Sequence, residues 1–324
     1  MTTRGFVLGK FMPPHAGHVS LCEAATAMVD RLTILVCWLP DDPIAGDLRL
    51  AWMRHLFPHA RVVGHGLPVP QYPHESADFW PIWKQIVADA HPEPIDFVFA
   101  GEAYGADLAA QVGGRFVPLG GRIIDADQLG PGGVSGSAVR ADMAASWRWL
   151  PEVVRRDQVR TVVLHGVEST GKSTLAQALA RELGTVWVPE YGRSHCLVHG
   201  VDLVPPDFAT IAAAQSAMID AARRWSGPVL LADTDWLMTR AWHQMMLGHD
   251  LSCPAYRLAD LYLLLAPDVQ WVDDGTRLYG EDATRNRFAV LCRAELEQAG
   301  ARFVEISGNW DERLARARKA IAAL

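Results

Sequence analysis

Arg160-Thr161-Val162-Val163-Leu164-His165-Gly166-Val167-Glu168-Ser169-Thr170-Gly171-Lys172-Ser173-Thr174 decides the fold of half the chain. Residues 160–164 are an apolar, β-branched run that predicts a strand. Gly166 to Ser173 spells G-x-x-x-x-G-K-S, and residues 172–183 read as a helix closed by Gly184 at its C-terminal cap position. Strand, glycine-rich loop and helix form a phosphate cradle, because the glycines let the backbone wrap an anion with its N–H groups turned inward. The helix N-terminus adds its dipole. Lys172 suits the β and γ oxygens of a nucleotide and Ser173 offers a hydroxyl to Mg²⁺. Gly166, Glu168, Ser169, Thr170, Gly171, Ser173 and Thr174 are the expected ATP contacts, with Lys172 the catalytic cation. In a chain of this composition the pattern arises by chance on the order of 0.002 times.

Downstream, residues 186–188, 229–232 and 261–265 are short apolar strands, and 208–225, 285–298 and 311–324 read as helices. The strand 229–232 ends in Asp233, where a carboxylate would hold Mg²⁺ through water; the competing reading is a helix cap. Asp235 and Trp236 follow and are expected to touch substrate. Glu190 also follows a strand, at the sheet edge where ligands bind, and can accept a hydroxyl proton; a solvated loop acid is the alternative. Asp273 to Arg277 and Arg285-Asn286-Arg287 resemble a lid bringing arginines, Arg277 among them, over the transferring phosphate. His195 and His199 have metal-ligand spacing without an evident third ligand and read as a plain helix face.

The first half repeats this grammar. Residues 5–8 and 32–38 are strands, the second without period-2 alternation, as expected of a parallel sheet covered on both faces. Residues 95–100 repeat the pattern, 17–30 read as a helix, and the proline-punctuated stretch 68–94 reads as mostly loop around a short helix. Between the first strand and the first helix lies Gly9-Lys10-Phe11-Met12-Pro13-Pro14-His15-Ala16-Gly17-His18. Two histidines at a helix entrance can donate to phosphate oxygens, with Gly17 allowing close backbone approach. Ser135, Ser137 and Arg140 put two hydroxyls and a guanidinium at another helix start, a set that can clamp a nucleotide's phosphates. Gly9, Lys10, Phe11 and Gly17 are the remaining ATP contacts expected here, and His15 and His18 the catalytic pair.

Strands alternating with helices imply α/β architecture, and the boundary between two halves falls between residues 147 and 160, giving domains 1–150 and 151–324. The 324 residues are half hydrophobic and carry a net charge of −7, the profile of a cored globular protein without a basic face for nucleic acid. Of thirty basic residues only Lys10, Lys84, Lys172 and Lys319 are lysine, and two of these sit in phosphate-binding patterns. Five scattered cysteines form no C-x-x-C pair, and suit reduced thiols in a cytoplasm. The start leaves no room for a signal peptide, and no apolar run is long enough to span a bilayer.

GKFMPPHAGH, then VSGSAVR, then WRWLPEVVRRDQVRTVVLHGVESTGKS closely resemble, in that order and spacing, the bifunctional nicotinamide-mononucleotide adenylyltransferase/nicotinamide riboside kinase family. The resemblance implies a Rossmann-like nucleotidyltransferase domain followed by a P-loop kinase domain. The first would join nicotinamide mononucleotide to ATP, giving NAD and pyrophosphate; the second would phosphorylate nicotinamide riboside, with Mg²⁺ for both. It implies that His15 and His18 stabilise charge on the ATP phosphates. Some members carry an N-terminal helix-turn-helix that represses transcription; this chain begins at the catalytic strand, and that role is not carried over. Trp236, Trp242, Trp52, Trp80 and Trp83 are aromatic rings that can stack on a pyridinium or simply fill core. Small-molecule substrates are the expected partners, without nucleic acid or membrane, and self-association into a homo-oligomer stays open. Two other readings remain: a nucleotide-sensing regulator of NAD precursors, and the same architecture acting on a different nucleoside or phosphate acceptor.

Overall fold

In the computed structural model, which describes residues 2–120, 134–272 and 278–324, the apolar runs pair into two five-stranded sheets whose described strand pairs are all parallel. Each sheet belongs to one of two compact units, Met1–Arg155 and Arg156–Leu324.

The first unit runs β1 (Arg4–Gly9), α1 (Ala16–Met28), β2 (Arg31–Cys37), α2 (Gly46–Leu56), β3 (Arg61–His65), α3 (Phe79–Ala90), β4 (Phe97–Ala100), α4 (Tyr104–Val112), β5 (Arg115–Pro118) and α5 (Gly136–Ala141), and the short helix α6 (Glu152–Gln158) contains the division between the units. Its strand order is β3-β2-β1-β4-β5. The lack of alternation in β2 has a direct cause: Leu35 and Cys37 face a core shared with Phe79, Trp83 and Leu108, while Leu32, Ile34 and Val36 face another with Cys22, Ala25 and Met53. Helices cover both faces, so both must be apolar.

The second unit runs β6 (Arg160–His165), α7 (Lys172–Leu183), β7 (Trp187–Val188), α8 (Tyr191–His199), α9 (Pro205–Ala222), β8 (Val229–Asp233), α10 (Trp236–Leu247), β9 (Leu261–Leu265), α11 (Asp282–Gln298), β10 (Phe303–Ile306) and α12 (Trp310–Ala322), in the strand order β10-β9-β6-β8-β7. Val162, Leu164, Leu231, Leu263 and Ile306 pack with Leu175 and Leu179 of α7 and Ile321 of α12. Val163, Leu230, Ala232, Tyr262 and Leu264, alternate residues of the same strands, are also buried.

In both units the central strand lies where the chain reverses its direction of travel across the sheet: β1 between β2 and β4, β6 between β8 and β9. Loops leaving such strands open into a crevice at the carboxyl edge. The two motif loops leave β1 and β6.

The stretch 68–94 is a helix set in loop, as expected. Twelve of its residues form α3, whose Pro81 lies in the first turn, where helical N–H groups have no intrahelical partner and a missing donor costs nothing. The strands β3, β5 and β10 did not stand out in the sequence; they are four- or five-residue edge strands that include exposed positions. Among the described residues no helix is long and apolar enough to cross a membrane.

Leu164 is fully buried in β6. Leu164→Ala is expected to cost about 2–5 kcal/mol through lost burial and a residual cavity. Chemical denaturation of variant and parent, compared at the midpoint, measures it.

Candidate functional site

In the first unit, β1 ends at Gly9 and the loop that follows delivers His15 to the N-cap of α1 and His18 to its first turn. The two imidazoles lie side by side, ring centroids 3.8 Å apart, and Phe11 packs edge-on against His18 at 5.1 Å. Gly17 permits this closeness, since a Cβ there would come within 3.2 Å of the His15 ring. The second phosphate motif meets the same loop: a Cβ on Gly136 would stand 3.9 Å from His15 Nε2. Arg140 donates through Nη1 to the Met12 carbonyl at 2.8 Å and through Nη2 to Ser137 Oγ at 3.3 Å. Ser135 caps α5, its side chain accepting from the Ala138 N–H. Histidines, hydroxyls and guanidinium, far apart in sequence, thus share one crevice.

Two residues that hold this loop carry no motif. Arg49, with no exposed surface, donates to the Lys10 carbonyl at 2.8 Å and to Asp42 Oδ2 at 2.7 Å. Lys10 Nζ lies 3.8 Å from the same carboxylate. Burial would raise the Asp42 pKa, but the Leu39 N–H, Arg49 and Lys10 together hold it below the usual carboxylate value.

In the second unit the phosphate loop joins β6 to α7 as the motif requires. Gly166 has φ 129°, and a Cβ there would reach 2.7 Å from the Leu265 carbonyl oxygen. Gly171 has φ 84°, and a Cβ there would overlap the Trp310 ring. Lys172 is buried and donates from Nζ to the Gly166 and Val167 carbonyls at 2.9 Å each. Arg313, fully buried in α12, supports the loop from behind: it donates to the Thr170 carbonyl at 2.9 Å and pairs with Asp268. Glu168 accepts from the Leu278 and Tyr279 N–H groups, and Ser169 Oγ from the Val272 N–H.

This loop forms one wall of a cleft enclosing about 1100 Å³, part of it open to solvent. Gly171, Lys172, Ser173 and Thr174 give it polar lining and Phe208, Ile211, Met238 and Trp242 apolar lining, and Glu190, Arg193, Gln215 and Thr234 also line it. Such a cleft suits a ligand with a charged tail and a flat, weakly polar body. Gln215, buried, accepts from the Tyr191 N–H at 2.7 Å and donates to the Pro189 and Thr234 carbonyls at 3.3 Å, tying the turn after β7 to the end of β8. Trp242 stacks on Tyr279, centroids 5.7 Å apart.

Glu190 and Asp233 both have pKa values raised chiefly by burial; Lys172 opposes the shift in each, and Asp233 adds to it at Glu190. Ser173 Oγ donates to Asp233 Oδ2, while Asp233 Oδ1 is buried with no hydrogen-bond partner among the described residues. No group of three or more His, Cys, Asp or Glu is placed to hold a metal among the described residues. A hydroxyl beside a carboxylate with a spare buried oxygen does fit a hard cation that takes its other ligands from water and nucleotide.

Among the described residues, the non-glycine positions with left-handed backbone are Phe11, Ser169 and Thr234 (φ 46°, 59° and 72°). All three belong to the loops or strand end just described. Left-handed backbone costs a branched or bulky residue about 1–3 kcal/mol, and such strain gathers where a site dictates the local geometry.

Two expected substrate contacts lie elsewhere. Asp235 caps α10, accepting from the Leu237 N–H at 3.0 Å and the Tyr262 hydroxyl at 2.7 Å, and neither it nor Trp236 lines the cleft. The left-handed turn at Thr234 sends the chain away from Asp233's position. Trp52 and Trp83 are core residues. Arg277 and the segment 273–277 lie outside the described residues. Arg285 is buried and donates to the Val269 carbonyl. Arg193, Gln215, Arg49 and Arg313 had no sequence signal, because burial and partner, not spacing, mark them out.

A family model described as an AAA domain matches residues 161–313. The trifunctional NAD biosynthesis/regulator protein NadR of Escherichia coli (strain K12) is 29% identical over 345 residues, covering 97% of this chain and 81% of the relative. The chain is homologous to NadR. The NadR protein of Salmonella typhimurium (strain LT2) is likewise 29% identical, over 343 residues that cover 96% of this chain and 81% of the relative. A crystal structure of NadR protein in complex with NR superposes with a TM-score of 0.74 at 20% identity, covering the whole of this chain and 96% of that one. Another, in complex with NAD and AMP-PNP, gives 0.73 at 19% identity, with the same coverage. The NadR fold, two parallel sheets with a P-loop domain, is therefore the fold of this chain.

Burial raises the Asp235 carboxyl from 3.8 to about 6. Between those values the native state holds more protons than the unfolded chain, so this residue lowers stability as pH rises through the window. Asp235→Asn, which keeps the size and the acceptor for Leu237, is expected to remove a loss of about 3 kcal/mol between pH 4 and 6. Denaturation midpoints of parent and variant across that range read the difference.

Proposed function

We propose that the chain carries two consecutive transfer reactions of NAD biosynthesis, one in each unit. The second unit phosphorylates nicotinamide riboside with ATP, and the first joins the resulting mononucleotide to a second ATP, giving NAD and pyrophosphate. The observation that carries this reading is the pair of complete phosphate-binding loops, each gathered at the carboxyl edge of its own parallel sheet. Homology to NadR over nearly the whole chain supports the choice of substrates, as do the ligands of the two similar crystal structures. On this reading residues 1–150 are an adenylyltransferase domain and 151–324 a nucleoside kinase domain.

In the kinase unit the loop's N–H groups and Lys172 hold the β and γ phosphates, and the apolar lining of the cleft takes the nucleoside. Glu190 is the proton acceptor for the attacking ribose hydroxyl: it lines the cleft and its pKa is raised towards the working range of a general base. Asp233 is committed to Ser173 and would hold Mg²⁺ with it. When bound, the cation supplies charge neutralisation on the phosphate oxygens. Arg193, at the cleft wall, adds positive charge where the transferred group passes.

In the adenylyltransferase unit the mononucleotide's phosphate oxygen attacks the α-phosphorus of ATP, and the bond to the β-phosphate oxygen breaks. His15, His18, Lys10 and Arg140 stabilise charge on the leaving pyrophosphate, and Ser135 and Ser137 orient it. These residues carry hydrogen-bond donors, so they fit phosphates; they assign no protein ligand to a metal ion.

Two separate sites make separable losses. Lys172→Ala is expected to lower riboside phosphorylation a hundredfold or more, about 3 kcal/mol of transition-state stabilisation, while added mononucleotide is still converted to NAD. His18→Ala should do the reverse and let mononucleotide accumulate, and mixing the two variants should restore the full conversion. Chromatography of reactions containing ATP, Mg²⁺ and either nicotinamide riboside or added mononucleotide measures all three. A folded variant of either kind that loses both reactions would overturn the two-site reading; phosphorylation of a different nucleoside only would overturn the substrate.

A further inference from the structure

Glu190 and Asp233 lie just past the point where the sheet stops holding their strands together. β7 is two residues long, and its described pairing with β8 ends at Val188 and Ala232. One side chain spans the strand ends beyond that pair. Gln215 Oε1 accepts from the Tyr191 N–H at 2.7 Å, and Nε2 donates to the Pro189 and Thr234 carbonyls at 3.3 Å each. Pro189 and Tyr191 flank Glu190, so the peptide groups on both its sides are held, which sets the direction of its Cα–Cβ bond. Thr234 follows Asp233, and its N–H donates to the Leu164 carbonyl at 3.1 Å. That left-handed residue is therefore fixed by β6 on one side and by Gln215 on the other.

An amide is a demanding choice for this position. Gln215 is 1% exposed, on a face of α9 whose other buried residues are Phe208, Ile211, Ala212, Ser216 and Ile219. A buried amide is tolerated only with its hydrogen bonds made, whereas leucine or methionine would fill similar space without that requirement. Both N–H donors and the oxygen are engaged with backbone, so although Gln215 lines the cleft its amide serves the protein chain.

We propose that Gln215 is a positioning residue for riboside phosphorylation, holding Glu190 in register with the Asp233–Ser173 pair across the open ends of β7 and β8. This rests on Glu190 being the proton acceptor. Lys172 and Arg193 favour the ionised form of Glu190, while Asp233 and Glu168 oppose it, and burial opposes it most strongly. Cys196, whose thiol pKa is raised, stays neutral nearby. Loosening the turn would admit water to the carboxyl and lower its pKa towards the ordinary carboxylate value. The acceptor works only when ionised, so the acid limb of the rate profile would move to lower pH.

The test uses the full chain carrying Gln215→Met, which keeps length and volume but loses all three hydrogen bonds, or Gln215→Asn, whose amide is too short to reach both strand ends. Rates of riboside phosphorylation are measured from about pH 5 to 9. Each variant is expected to lower kcat on the order of tenfold to a hundredfold while KM for ATP and for the riboside stays within about twofold. The acid limb should move to lower pH. A purely structural role would lower the rate with the folded fraction and leave the limb in place. Glu190→Gln in the parent is the control, and should slow the reaction and flatten the limb. A limb that survives there removes the base and this inference with it. A limb lost there but unmoved in both Gln215 variants, or a raised riboside KM with kcat intact, would overturn this inference alone.

Discussion

A parallel sheet covered on both faces leaves polar chemistry nowhere to go except the ends of its strands. β1 and β6 follow that constraint alike, apolar at Phe6–Leu8 and Val162–Leu164, with the polar residues of β6 at its two ends, and each opens into a glycine-bearing loop at the carboxyl end. There the loop faces a second problem. An anion is held by N–H groups turned inward, so the loop's carbonyls point into protein and need donors of their own. In both units a fully buried arginine provides one: Arg49 reaches the Lys10 carbonyl, Arg313 the Thr170 carbonyl. Each is neutralised by an aspartate, Asp42 or Asp268, so the charge is not left unpaired. Two units of different strand order thus use the same device to make a backbone loop rigid.

What the sequence made legible follows from the same physics. The glycine loops, the histidine pair, the serine–arginine motif and the central strands were readable because each is local: a strand, a turn and a helix start in succession. Glu190 and Asp233 were readable as acids just beyond apolar strands. Arg49 and Arg313 were not, because an arginine on an amphipathic helix has the same spacing whether its head lies in water or under a loop. The short edge strands were missed for a related reason, being too brief and too exposed to show an apolar run.

Asp235 and Trp236 show how sequence adjacency misleads. They follow the strand-end acid Asp233 by two and three residues, and a linear reading puts them in the same pocket. The left-handed residue Thr234 intervenes, Asp235 becomes a helix cap, and Trp236 turns to a different cavity. The backbone conformation of one residue decides which of two pockets an acid and an aromatic serve.

The contact between Gly171 and Trp310 ties distant parts of the chain into one packing unit. The indole lies where any side chain at 171 would have to go, and the Arg313 guanidinium sits 5.6 Å from the same ring. Removing the last helix would therefore take away both the ring that packs on Gly171 and the guanidinium that holds the Thr170 carbonyl. A C-terminal segment that looks like ordinary packing on the outside of the sheet thus shares its packing with the G-x-x-x-x-G-K-S loop.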